Sequence, residues 1–145
     1  MKKQLIALRG PSNAGKSTTL HILYKLLLAP PSTKPIGFKK IGYKIDFSAI
    51  VAINGIKIGI VNRGDVTAPL KKLIDHLAAE NCKIIVCAAR TKGNVGTMLD
   101  SFSPRFKLVT VSKHRSETDK DDVLMLANQA AAHQLAANVY SALIA

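Results

Sequence analysis

The chain has 145 residues, enough for one packed domain and too few for two ordinary ones, so we expect residues 1–145 to share a single core. Hydrophobic residues make up 48% and charged residues 21%, a balance that excludes a disordered protein. The 21 Lys and Arg outnumber the nine Asp and Glu, and the net charge of +12 favours nucleic acid as a partner or, if the basic groups stay scattered, a solubilising surface.

The first predicted element is a buried strand at residues 4–9, "QLIALR", which ends at a glycine. This run is far shorter than the roughly 18 residues of a membrane span, and it leads into a glycine-rich segment rather than a signal cleavage site. We therefore expect a cytoplasmic protein with no membrane partner. Residues 16–28 carry apolar side chains at the spacing of an amphipathic helix. The prolines that follow forbid helix and favour an extended connection.

Two strands joined by a tight turn are predicted next. From Ile41 to Ile53 every second residue is apolar, which places Tyr43, Ile45 and Phe47 on one face of a strand. Asn54-Gly55 is a strong hairpin signal, because both central residues of a type I′ turn need positive φ. Residues 56–62 continue the alternation, so the second and third strands are expected to be antiparallel neighbours.

The rest of the chain alternates between the two kinds of element. We predict helices at about 66–80, around 95–102 and at 119–144, with strands at 82–89 and 106–111. The pattern indicates an α/β protein with three layers, in which helices cover both faces of an about five-stranded, mostly parallel sheet. Cys82 and Cys87 lie in one apolar segment, so we expect buried free thiols rather than a disulfide or zinc site.

Residues 10–17, "GPSNAGKS", match G-x-x-x-x-G-K-[ST] without a mismatch between the first strand and the first helix. The chain here resembles the P-loop NTPase superfamily. In that superfamily the glycines let backbone N–H groups wrap a phosphate, Lys16 reaches the β- and γ-phosphates, and Ser17 gives its hydroxyl to Mg²⁺. The resemblance therefore implies ATP and Mg²⁺ as cofactors, bound by Gly10, Pro11, Ser12, Asn13, Ala14, Gly15, Lys16, Ser17 and Thr18.

The resemblance also implies a second acid in the Mg²⁺ shell, at the end of an apolar strand. Here Asn62 follows the apolar run directly, and Asp65 comes three residues later, which departs from the family pattern. We expect Asp65 to act on the metal through water or to accept a proton from the attacking nucleophile. Its position also suits the N-cap of the next helix.

Asp46 is the other candidate acid. An isolated carboxylate in an apolar strand needs a partner such as Lys44 or a metal ion. If its strand lies beside the first strand, as in small kinases, Asp46 is placed to orient a substrate hydroxyl. The alternative is a solvent-facing residue of an edge strand.

Basic residues follow the last two strands. Ligands of parallel α/β sheets gather outside the carboxyl ends of the strands, so Arg90 and Lys92 are expected to face the same crevice as residues 10–17. Arg90 is then placed to neutralise charge on the γ-phosphate or to hold an anionic substrate, the alternative being a surface cation. Residues 113–115 stand where many P-loop proteins contact the base, but no guanine-reading motif occurs there.

Three functions fit these residues. One is Mg²⁺-dependent ATP hydrolysis, a second is phosphoryl transfer by a small kinase to a metabolite, nucleotide or polynucleotide end, and a third is a non-catalytic ATP-dependent binding module for nucleic acid or protein. Kinases of nucleoside monophosphates carry an additional lid and acceptor domain, for which 145 residues leave little room. The segments 29–40 and 91–105 are the remaining candidates to close over phosphates. A minimal kinase-like P-loop protein is the leading interpretation.

Overall fold

Strands and helices alternate along most of the chain. The computed structural model describes residues 2–11, 14–41, 45–63, 67–115 and 120–145. Within these residues the elements are β1 (Gln4–Arg9), α1 (Lys16–Leu28), β2 (Lys34–Lys40), β3 (Phe47–Ile53), β4 (Ile56–Asn62), α2 (Thr67–Ala79), β5 (Ile84–Ala89), α3 (Val95–Asp100), β6 (Lys107–Ser112) and α4 (Asp121–Ile144). The predicted α/β class is confirmed.

One mixed sheet runs through the described residues and contains six strands in the order β2-β3-β4-β5-β1-β6. β1 pairs in parallel with β5 on one side and with β6 on the other, and β4 pairs in parallel with β5. β3 is antiparallel to both β4 and β2. The prediction of about five strands is wrong, because it treated β2 as part of a connection.

β2 is an edge strand whose seven residues are all exposed. It pairs with β3 from Lys34 to Lys40, and the register shifts between Pro35 and Gly37. A proline, which cannot donate to a ladder, is tolerated at an edge, and so are lysines that face water on both sides. Because neither face of β2 is buried, its sequence does not alternate between apolar and polar residues. The sequence therefore lacks the pattern that predicts a strand.

The predicted hairpin is confirmed. β3 and β4 pair from Phe47 opposite Asn62 to Ile53 opposite Ile56, and Asn54 and Gly55 have φ of 52° and 77°. Alternate residues of β3 are buried, beginning at Phe47. Ile45, which the alternation placed on the same face, lies before the strand and is 49% exposed, so that part of the prediction is wrong. Tyr43 and Lys44 lie outside the described residues.

Apolar side chains cover the sheet on both faces. On one face α1 and α4 pack against residues such as Ile6 and Leu8, and on the other α2 and α3 pack against Leu5 and Ala7. The predicted arrangement of helices on both faces is therefore confirmed. Across the described ranges, no helix has the length and apolar character needed to cross a bilayer.

The strand directions bring several polar residues to one side of the sheet, where β1, β4, β5 and β6 have their carboxyl ends. The last residue of β1, Arg9, is in register with Ala89 of β5 and Ser112 of β6. Because β3 is antiparallel to β4, the beginning of β3 lies beside the end of β4. Residues that follow β1, β4, β5 and β6 therefore lie at the same edge as the residue that precedes β3, which is Asp46.

Candidate phosphate and metal site

Two glycines, Gly10 and Gly15, lie between β1 and α1. Gly15 has φ of 85°, in the left-handed region that favours glycine, and α1 begins at the next residue. A Cβ on Gly10 would overlap the carbonyl oxygen of Lys113, and one on Gly15 would overlap the side chain of Asn128. Both positions therefore require glycine. Since Gly15 has no side chain to cap α1, the first N–H groups of the helix keep the partial positive charge that attracts anions.

Lys16 folds back over the first half of this loop. Its Nζ donates to the carbonyl oxygens of Gly10, at 2.7 Å, and Pro11, at 2.8 Å, and the residue is only 8% exposed. The ammonium group therefore lies against the loop backbone rather than in bulk water. Ser12 and Asn13 lie outside the described residues.

Two residues from distant elements support the loop. Lys113, directly after β6, is buried, and its Nζ donates to the carbonyl oxygen of Ala14 at 2.7 Å. Burial lowers the pKa of this ammonium group from its ordinary value. The side chain of Lys113 thus holds the loop, and contact of residues 113–115 with a base stays a prediction. Asn128 of α4 was not predicted, and its Oδ1 lies 3.5 Å from Oγ1 of Thr19, which donates to the carbonyl oxygen of Gly15 at 2.7 Å.

A buried amide joins Ser17 to Asp46. Nδ2 of Asn62 donates to Oγ of Ser17 at 2.7 Å and to Oδ1 of Asp46 at 3.0 Å. Asn62 is 1% exposed and Asp46 8% exposed. The other carboxylate oxygen of Asp46 lies 3.6 Å from the guanidinium of Arg63. A hydroxyl, an amide and a carboxylate thus form one network at the start of α1.

This network revises the interpretation of the acids. Asp46 is buried, and it lies at the carboxyl ends of the parallel strands, as the loop does. The alternative of a solvent-facing residue on an edge strand is therefore wrong. Its strand is not adjacent to β1, because β4 and β5 lie between them. Asn62, noted in the sequence only as the residue in place of the expected acid, connects Asp46 to Ser17. Asp65 lies outside the described residues.

Arg90 lies beside the start of the loop. A cavity of about 190 Å³ is lined there by Pro11, Arg90, Thr91, Lys92 and Arg115. Gly10 donates its N–H to the carbonyl oxygen of Ala89 at 3.2 Å, which ties the end of β5 to the loop. Arg90 and Lys92 thus line one cavity with Pro11 of the loop, and the role that the sequence gave to Arg90 stays a prediction.

The donors at the site suit a phosphate with a divalent cation. Backbone N–H groups and an ammonium group bind phosphate oxygens, and hydroxyl and carboxylate oxygens are the ligands that Mg²⁺ prefers. In the part of the chain that the structure describes, no group of three or more His, Cys, Asp or Glu is placed to hold a metal ion.

Comparison with known proteins found no match among protein-family models, curated proteins or solved structures.

Proposed function

We propose that this chain is a P-loop NTPase-like protein that binds ATP with Mg²⁺ at residues 10–17 and carries out phosphoryl chemistry on it. The observation that carries the proposal is the complete G-x-x-x-x-G-K-S sequence at the turn from the central parallel strand β1 to α1. Each residue type of the motif has a phosphate-binding role at such a turn. A Cβ at Gly10 would overlap backbone, Gly15 has positive φ, and Lys113, which follows β6, donates to the carbonyl oxygen of Ala14 in the loop.

Lys16 contributes the positive charge nearest the loop backbone. Its Nζ is held by two carbonyl oxygens that belong to the loop itself, so it needs only a short movement to exchange them for phosphate oxygens. The N–H groups at the start of α1 lie beside it and add the dipole of a 13-residue helix. Together they favour the β- and γ-phosphates over a neutral ligand.

Ser17 and Asp46 fit the Mg²⁺ that the motif implies. The oxygens of both side chains lie within hydrogen-bond distance of Nδ2 of Asn62, which fixes their relative position. When bound, Mg²⁺ neutralises charge on the β- and γ-phosphates. The sequence indicated Asp65 for the metal shell and Asp46 for a substrate hydroxyl, so Asp65 is the competing metal acid.

Two reactions follow from this site. Transfer of the γ-phosphoryl group to water is ATP hydrolysis, and transfer to another acceptor is a kinase reaction. With ATP and Mg²⁺ but no acceptor, an ATPase releases phosphate steadily, whereas a kinase releases little until an acceptor is added. Absence of both reactions, with ATP binding intact, would support the non-catalytic binding module.

The test of nucleotide binding is Lys16→Ala. We expect MgATP to raise the melting temperature of the wild-type protein, and we expect the variant to bind MgATP roughly tenfold or more weakly because a charge-assisted contact to phosphate is lost. The measurement is the melting temperature as a function of MgATP concentration, with each variant compared with its own nucleotide-free state.

Lys25→Ala is the matched control, since Lys25 is an exposed lysine on the same helix. It removes the same charge and should leave the MgATP response unchanged. An unchanged response in Lys16→Ala would overturn the proposed site.

A further inference from the structure

The cavity beside Pro11 is lined by cations from two strands that flank β1. Arg90 and Lys92 follow β5, and Arg115 follows β6, while β5 and β6 are the two neighbours of β1. Arg9 is in register with Ala89 and Ser112, so β1, β5 and β6 end side by side. The residues that follow these three strands therefore begin next to one another. The topology therefore gathers positive charges that are far apart in sequence around the start of the loop.

Arg9 fixes the backbone from which Arg90 projects. Its Nη2 and Nε donate to the carbonyl oxygen of Arg90 at 3.0 and 3.2 Å. A guanidinium that holds one carbonyl through two N–H groups restrains the backbone more strongly than a single hydrogen bond. The side chain of Arg90 thus leaves the sheet from a restrained backbone.

The cavity adjoins the predicted phosphate site. Pro11 lines it, and the carbonyl oxygen of the same residue accepts a hydrogen bond from Nζ of Lys16 at 2.8 Å. Among the described residues, those that line the cavity carry three cations, one hydroxyl and no carboxylate. A volume of about 190 Å³ is smaller than a typical drug-sized pocket and suits a phosphate with a few further atoms.

We propose that this cavity binds the phosphate monoester group of the phosphoryl acceptor, which makes the acceptor a small phosphorylated molecule with a free hydroxyl. The proposal rests on the proposed function. In the reaction the bond between the γ-phosphorus and the bridging oxygen breaks, and the acceptor hydroxyl oxygen bonds to that phosphorus. ADP leaves with the bond's electron pair, and the hydroxyl proton passes to water. The phosphate in the cavity anchors the acceptor and does not react.

The distribution of charge favours a small ligand over a polynucleotide. Lys34, Lys39 and Lys40 form the other strand-borne basic group, on β2, and β2 and β6 are the opposite edges of the six-stranded sheet over the described residues. Arg90 and Lys92 follow β5, however, and three strand spacings of about 4.8 Å separate β5 from β2 by roughly 14 Å. The two groups are therefore separate patches, and the one at Pro11 surrounds a cavity.

Binding is tested by titrating the full chain with inorganic phosphate and with glycerol phosphate, with the loop saturated by Mg²⁺ and a non-hydrolysable ATP analogue. We expect Arg90→Ala/Lys92→Ala to weaken both ligands by about tenfold or more. Lys34→Ala/Lys39→Ala removes equal charge at the distant edge and should leave both affinities unchanged. Equal affinities in wild type and Arg90→Ala/Lys92→Ala overturn the proposal, and so does an equal loss in the control variant.

Transfer is tested by following the γ-phosphoryl label of ATP onto sugar phosphates and nucleoside monophosphates and onto their unphosphorylated counterparts. We expect the phosphorylated acceptors to have the lower KM, and the advantage to disappear in Arg90→Ala/Lys92→Ala. Equal KM values for the two sets, or preferential labelling of a 5′-hydroxyl oligonucleotide, contradict the proposal.

Failure of the proposed function gives a different result. If the wild type does not bind the ATP analogue, phosphate is titrated without it; a dependence on Arg90 and Lys92 then supports the cavity as a phosphate site and overturns only ATP binding. Lys16→Ala tests the two sites independently. We expect this variant to lose MgATP binding and to keep the affinity for glycerol phosphate that depends on Arg90 and Lys92.

Discussion

Asn62 connects residues from three parts of the chain. Its amide donates to Ser17, which lies 45 residues away in sequence, and to Asp46, which lies 16 residues away. A buried amide without partners would destabilise the fold by about 1–3 kcal/mol, so both contacts also matter for stability. Donation by a single NH₂ group to both oxygens leaves the proton of Ser17 and lone pairs of both oxygens for a ligand.

Asp46→Asn should weaken the dependence of nucleotide binding on Mg²⁺. The substitution keeps the size of the side chain and removes the negative charge, so the Mg²⁺ concentration for half-maximal ATP binding should rise about tenfold or more. The fold should persist, because Arg63, the ion-pair partner of Asp46, is 34% exposed and is hydrated without it. The measurement is a Mg²⁺ titration at a fixed concentration of a fluorescent ATP analogue.

Asp65→Asn is the comparison for this prediction, because it removes the competing acid with the same chemical change. We expect a much smaller effect on the Mg²⁺ titration than from Asp46→Asn. The reverse order of the two effects would assign the metal acid to Asp65.

The sequence identified some residues of the site and missed others. Gly10, Gly15 and Lys16 were predicted because adjacent residues in one loop form a readable motif. Asn62, Lys113 and Asn128 reach the site from β4, β6 and α4. Their contribution depends on strand order and helix packing, which no local pattern encodes.

At the scale of elements, the turn between β3 and β4 is the clearest case of local chemistry. Gly55 has φ of 77°, and a Cβ added there would meet no atom within 4 Å. The cost of a side chain at this position therefore comes from the backbone conformation alone.

Gly55→Ala should lower the free energy of unfolding by about 1 kcal/mol, because an L-residue is forced into the left-handed region. The measurement is equilibrium denaturation in urea. Gly37→Ala in β2 is the matched control, since its Cβ also meets nothing within 4 Å and its φ is outside the left-handed region. A loss in the control as large as in Gly55→Ala would contradict the role assigned to φ.

β2, unlike the turn between β3 and β4, is not predicted by its local sequence. Its pairing with β3 is made by backbone groups, and its side chains, including Ile36 and Phe38, are about half exposed. Phe38 contacts the rings of Tyr24 and Phe47, each at a centroid distance of 5.3 Å, so two aromatic contacts support the edge. The sequence of 34–40 carries no periodic signal for this strand, because neither face is buried.

At the scale of the whole molecule, the reactivity and titration of the two cysteines test whether the core is tightly packed. Burial raises the pKa of Cys82 from 9.0 to about 11 and that of Cys87 from 9.0 to about 12. Both thiols are free and buried, as the sequence predicted.

The thiols should react far more slowly with a thiol reagent at pH 8 in the folded protein than in denaturant, because the reactive thiolate is both disfavoured and inaccessible.

The free energy of unfolding should also fall as pH rises from about 9 towards 11, since the unfolded chain loses thiol protons that the folded state retains. The slope is at most about 1.4 kcal/mol per pH unit for each thiol.

The control is Cys82→Ala/Cys87→Ala, measured over the same pH range. The lowered pKa of Lys113 acts in the opposite direction, because the folded state then binds fewer protons than the unfolded chain. The difference between the wild type and the variant isolates the thiols. Fast reaction at pH 8, or a difference that does not change with pH, would be inconsistent with thiols buried in a tightly packed core.

The sequence by itself determined the α/β class, the hairpin at Asn54-Gly55, the two-sided burial of the central strands and the G-x-x-x-x-G-K-S motif between β1 and α1. Each of these depends on residues within one element or one turn, where periodicity and backbone preference act directly. Only the tertiary structure decided the edge strand β2, the link from Asp46 through Asn62 to Ser17, and the gathering of Arg90, Lys92 and Arg115 beside Pro11. These depend on strand order, and strand order is set by how the whole chain packs.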